Sequence, residues 1–311
     1  MPKAPSPQPS SGPQPTGAGP SPSPAPAPQP AGPSPVQPKQ TPPSPQAAQG
    51  TPPRSFGVSR GVQRRPQRVG IYGPGGVGKS ELASLVATVG LHPLFIDLEE
   101  GTGFLDVSRV DPVPETFEEL RAAVQMAVGM EGVDAVVIDS LTKAEELAVD
   151  YTLRTKKHEK GHYVDSIEGY GFGKGYMHVY ESFLLLMQDL DAVVRDGTHV
   201  ITICHDCTAN VPNPAGEDWI RYEPRLQSPP SGRGSIRHRV KEWVDHLIYV
   251  GFDVFTSTDG KASGSGTRTC YPIEMPTHWA KSRSLSQPFP YDQGDATLWQ
   301  SLFTPNSPTT E

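Results

Sequence analysis

Gly73-Pro-Gly-Gly-Val-Gly-Lys-Ser80 is the stretch on which the reading of this chain turns. It matches the pattern G-x-x-x-x-G-K-[ST]. Its glycines let successive backbone N–H groups turn toward one point and cradle anionic oxygens, and a following helix adds its positive end. Lys79 can reach the outer phosphates of a nucleotide, and the Ser80 hydroxyl can ligate Mg2+. The candidate nucleotide-binding residues are therefore Gly73, Pro74, Gly75, Gly76, Val77, Gly78, Lys79 and Ser80. Arg68-Val-Gly-Ile-Tyr-Gly73, just before, reads as a buried strand. Glu81 to Gly90, just after, carries Leu82, Leu85, Val86 and Val89 at helical spacing.

Outward from the loop, the same alternation continues. Pro93 to Glu99, Ala135 to Ser140 and His199 to His205 are continuous apolar runs, read as strands. Pro114 to Met130 and Tyr176 to Arg195 are read as helices. Strands of this kind alternating with helices predict an α/β fold, a mainly parallel sheet covered on both faces. After residue 215 the runs Trp219 to Leu226, His246 to Val254 and Arg268 to Glu274 alternate more, which predicts antiparallel strands completing the sheet. Asp259 to Gly266 is expected to be a mobile loop. Asp139 closes the third apolar run, where its carboxylate can take a hydrogen bond from Mg2+-bound water or from Ser80. Ser80 and Asp139 are thus the candidate metal-site pair for Mg·ATP.

Composition divides the chain. Of its 36 prolines, 21 fall within residues 1–67, together with six basic residues and no Asp or Glu. Such a segment cannot bury enough apolar surface to offset its ordering entropy and is expected to be a disordered arm. It reads either as a spacer or as a ligand for aromatic-grooved partner domains. The expected domain runs over 68–303, with a short flexible end at 304–311. Three cysteines give no disulfide framework, and no apolar run is long enough to span a bilayer. The first residues also lack the apolar core of a secretory signal, so the expected setting is the cytoplasm. Cys204-His205-Asp206-Cys207 lacks the four ligands of a zinc site, since the third cysteine, Cys270, stands apart.

Beyond the loop, the residues resemble the RecA-like P-loop ATPases. Asp139 is followed by Ser140, not by a second acid, and an acid stands instead after the second strand, in Phe95-Ile-Asp-Leu-Glu-Glu100. The resemblance implies that Glu99, with Glu100 as fallback, orients and deprotonates the attacking water. It implies that His205, ending the fourth strand, senses the γ-phosphate and shifts the following loop, Asp206 to Asp218. It further implies that Lys281 and Arg283, in His278-Trp-Ala-Lys-Ser-Arg283, reach a neighbouring subunit's nucleotide, which makes a homo-oligomer the expectation. Over about residues 68–285 the order of these pieces is similar to phage and prophage ATPases linked to recombination and single-strand annealing, which implies single-stranded DNA as a partner. The remainder of the chain is acidic, so DNA contact would fall to local basic patches: Arg233, Arg237, Arg239 and Lys241, or Lys156-Lys157, or the arm. A chromosome-partition ATPase would need a lysine where Pro74 stands. A metabolite kinase would need an Arg-rich lid, which the sequence does not show. A nucleotide-gated scaffold with little hydrolysis stays open beside the ATPase.

Overall fold

The computed structural model describes residues 57–256, apart from 62 and 64, and residues 262–303. Residues 1–56, on which most of the expected disordered arm falls, residues 257–261, with part of the expected mobile loop, and residues 304–311, the expected flexible end, lie outside the described residues. The chain divides after Arg60, and the fold belongs to the unit that begins at Gly61.

In chain order its elements are β1 (Arg68–Gly73), α1 (Lys79–Ser84) running into a 3-10 segment (Leu85–Val89), β2 (Pro93–Asp97), β3 (Ser108–Arg109), α2 (Phe117–Met126), β4 (Ala135–Asp139) and α3 (Leu141–Thr155). A 3-10 turn (Ile167–Tyr170) leads to α4 (Lys174–Asp196), β5 (His199–Val211), β6 (Trp219–Pro224), α5 (Ile236–Trp243), β7 (His246–Thr256), β8 (Ala262–Tyr271), β9 (Phe289–Pro290) and α6 (Thr297–Phe303). The sheet order is β3-β2-β4-β5-β1-β7-β8-β9, with β6 paired to β5. Strands from β3 to β7 run parallel, whereas β6, β8 and β9 pair antiparallel. This is the expected α/β architecture: a mainly parallel sheet finished by antiparallel strands.

Two-residue alternation along each strand sends side chains to two cores. Val136 and Ile138 of β4 face the core built with α2, α3, α4 and α5. Ala135 and Val137 face the opposite core, which α1, the 3-10 segment after it and α6 close through Leu82, Val86, Leu298 and Trp299. Because both faces are buried, the inner strands are mainly apolar between their ends, Thr202 of β5 being a buried polar residue within them. The helices are delimited by local chemistry. In α2, Thr116 and Glu119 form a reciprocal capping box. Ser140 caps α3 through Lys143 N at 3.2 Å. Gly173 and Gly197, both left-handed, bracket the 23 residues of α4.

Three expectations about elements need correction. The segment Asp206 to Asp218 is not a free loop: Asp206 to Val211 continue β5 and pair with β6 from Pro224 to Trp219. Of the loop expected over Asp259 to Gly266, residues 262–266 belong to β8 and its ladder with β7. Small and polar residues masked both strands, because a ladder is held by backbone groups that any residue but proline supplies. The helical run after Pro114 is also shorter than expected, from Phe117 to Met126.

Candidate nucleotide-binding site

Parallel pairing brings the C-terminal ends of four strands to one edge. Gly73 is level with His205, Asp97 with Asp139, and Asp139 with Ile203. The phosphate loop leaves β1 at this edge and enters α1 at Lys79, a strand-to-helix turn as the sequence predicts. A Cβ on Gly73 would lie 2.1 Å from the Val250 carbonyl oxygen of β7, so close packing of the adjacent strand admits only glycine there.

Lys79 is buried, and its ammonium donates to the carbonyls of Gly73 (2.9 Å) and Pro74 (2.8 Å). Burial lowers its pKa, opposed by the negative charges of Asp139 and Asp206. The side chain therefore lies folded over its own loop, with its charge among acceptors that phosphate oxygens could replace. Ser80 Oγ donates to Asp139 Oδ2 at 2.5 Å, which brings together the candidate metal pair. Burial pushes the Asp139 carboxyl up to about 6; the Ser80 bond opposes this, and the neighbouring charges of Asp97 and Glu99 add to it.

Those atoms fit Mg2+. A hydroxyl and a carboxylate are hard oxygen donors, and a cation beside Asp139 would relieve the clustering of three carboxylates. Among the described residues no group of three His, Cys, Asp or Glu side chains could hold a metal alone. An ion here would complete its shell with phosphate oxygens and water.

Glu99 and His205 meet. His205 Nε2 lies 3.0 Å from both carboxylate oxygens of Glu99, and Ser140 Oγ donates to Glu99 Oε1. Burial raises the Glu99 pKa, but the hydrogen bonds from Ser140 and His205 outweigh it and hold the carboxyl below its usual range. His205 is fixed in turn, its backbone N–H donating to Thr142 Oγ1 at 3.1 Å. Asp97 lies beside them, accepting from Gly101 N, Thr102 N and Thr102 Oγ1, and so ties down the turn that carries Glu99. Glu100, the fallback, is exposed at φ 54. Sequence reading passed over the parts of Ser140 and Thr142; a Ser at a helix N-cap followed two residues on by Thr was the available signal.

Lys281 and Arg283 are not brought to this edge. Lys281 pairs with Leu247 early in β7, and Arg283 forms an ion pair with Asp245 (3.0 Å), whose carboxylate also accepts from Arg68 N at the start of β1. One basic patch also needs correction. Arg237 is bound to Glu223 at 2.7 Å and Lys241 to Glu274 at 2.8 Å, so acidic partners offset half of the Arg233 to Lys241 cluster.

Residues 65–284 match the family model described as AAA domain, well over half of the chain, and the chain belongs to that family. No curated protein matches it. Among solved structures, a KaiC-like protein from the hyperthermophilic archaeon Pyrococcus horikoshii OT3 is similar over 73% of this chain and 86% of its own, at 12% identity and a TM-score of 0.39. That likeness is too distant to carry argument. The family and the phosphate loop together make the protein an ATP-binding P-loop NTPase. Its described residues include no helix long and apolar enough to cross a membrane.

Proposed function

We propose that the protein hydrolyses Mg·ATP at this edge and uses the cycle to drive a step of DNA recombination or single-strand annealing. The observation that carries the hydrolytic part is Glu99, held by Ser140 and His205 at the same strand ends as Lys79, Ser80 and Asp139. Backbone amides of the loop and Lys79 bind and orient the triphosphate. Ser80 and Asp139 would hold Mg2+, which spreads charge over the β- and γ-oxygens when bound. Glu99 orients the attacking water and takes its proton, and His205, within reach of the same carboxylate, exchanges that contact for the γ-phosphate.

Support for the DNA part is electrostatic. The segment from α3 to α4 exposes Lys156, Lys157 and Lys160 and the rings of Tyr163 and Phe172, with Lys157 Nζ 5.2 Å from the Tyr163 ring. Cations beside exposed rings are a combination that binds single strands by phosphate contact and base stacking. Phosphate release measured with and without single-stranded DNA tests the reading. Stimulation, lost with Lys156→Ala/Lys157→Ala and weakened steeply by salt, is expected; no DNA binding at low salt removes the recombination role.

One observation favours the scaffold alternative. Glu99 is engaged by two donors and is not a free base, so turnover would stay slow if nucleotide binding did not break that contact. Nucleotide binding without turnover under any condition would decide for the scaffold. A role for Lys281 and Arg283 in a neighbour's site needs copies assembled edge to edge. Mixing Lys79→Ala with Arg283→Ala protein should then restore activity that neither has alone.

A further inference from the structure

The segment from Leu285 to Phe303 lies beyond the residues that match the family, yet it is built into the back of the phosphate loop. Tyr291 Oη donates to the Gly78 carbonyl at 3.0 Å, and Arg268 Nη1 of β8 donates to the Val77 carbonyl at 3.2 Å. The two donors brace each other, the Arg268 guanidinium standing 4.6 Å from the Tyr291 ring centroid. Farther along, Gly294 N donates to Glu81 Oε1 at 3.1 Å and Trp299 Nε1 to the Leu82 carbonyl at 2.5 Å. Tyr291 and Trp299 are buried, so the segment is fixed to the domain by its own core contacts.

Gly78, the last glycine of the loop, makes this arrangement possible. Its φ of 92 is one that side-chain-bearing residues rarely adopt, and an added Cβ would lie 2.7 Å from Arg268 Nη1 and 3.1 Å from Tyr291 Oη. The glycine leaves the room that the two donors occupy.

In a trans peptide the carbonyl and the following N–H point in opposite directions. Holding the Val77 and Gly78 carbonyls toward this strap therefore turns the amides of Gly78 and Lys79 away from it. We propose that Arg268 and Tyr291 are positioning residues for the nucleotide's phosphates. Acting through the backbone of Val77 and Gly78, they set two phosphate-facing amides before the ligand arrives, so that binding carries less ordering cost. The proposal rests on reading residues 73–80 as the nucleotide site.

Titration of a non-hydrolysable Mg·ATP analogue into the full chain, with steady-state kinetics beside it, tests this. Tyr291→Phe keeps the ring under Arg268 and loses only the hydroxyl. It should weaken the analogue about tenfold and raise KM by a similar factor, with kcat within about twofold, since one oriented hydrogen bond is lost from binding and none from the reacting atoms. Arg268→Lys, a second variant that keeps the charge but not the fork, should do the same. The ligand-free thermal midpoint checks that each variant is folded at the titration temperature. Unchanged affinity in both folded variants overturns the proposal, as does a fall in kcat at constant KM. A wild type that binds no analogue would remove the nucleotide reading itself and this proposal with it.

Discussion

His205, the last residue of β5 paired with β1, and Glu99, two residues beyond the end of β2, come from strands separated by β4, and the imidazole Nε2 is 3.0 Å from each carboxylate oxygen. The contact joins a candidate base to a candidate phosphate sensor across the strand that ends in Asp139. A ligand that attracts His205 would release Glu99, and the proposed coupling of binding to hydrolysis can be probed residue by residue.

Glu99→Gln should lower phosphate release by about 100-fold or more while ATP affinity stays within a few-fold, because the amide accepts hydrogen bonds but takes no proton. His205→Ala should cost less, about tenfold, having removed one oriented contact. Single-turnover hydrolysis with a parallel binding titration checks both.

Ser80→Ala leaves Asp139 without its hydroxyl partner and removes a candidate Mg2+ ligand. The Mg2+ concentration giving half-maximal hydrolysis should rise by about tenfold or more. Chelation with EDTA should stop wild-type hydrolysis, and readdition of Mg2+ should restore it.

Glu145, at the start of α3, accepts from Gln227 N at 2.7 Å, and burial pushes its carboxyl up to about 7. A pKa raised on folding means that the folded state holds the proton more tightly. The stability this confers is full below the unfolded value near 4.5 and is lost as pH rises through about 7. Glu145→Gln should thus gain roughly 2–3 kcal/mol on wild type between pH 5 and pH 8. Urea unfolding of both proteins at the two pH values measures the difference; parallel curves would contradict it.

Much of this was legible in the sequence. The phosphate loop and β1, β2, β4 and the first half of β5 show as unbroken apolar runs because both faces of a parallel strand are buried. The helix α3 escaped notice because its buried face is made of Ala144, Ala148 and Thr152 beside Leu141 and Leu147, a weak apolar stripe that its Ser140 cap alone announces. The strap was equally silent. Tyr291 follows Pro288-Phe-Pro290 and Trp299 lies in the seven-residue α6, both too short to show a period, and only the folded chain shows that they reach Gly78 and Leu82. Glu99 and His205 are each legible as candidates, but their contact spans 106 residues and depends on strand order, which no local pattern records.

Calorimetric titration of a non-hydrolysable ATP analogue, with Mg2+, into wild type and Lys79→Ala decides whether residues 73–80 grip a nucleotide. One site per chain is expected in the wild type, and a loss of at least about 100-fold in the variant, whose loop lacks the ammonium that now bonds Gly73 and Pro74. Equal binding by the two proteins, or none by the wild type, would contradict it.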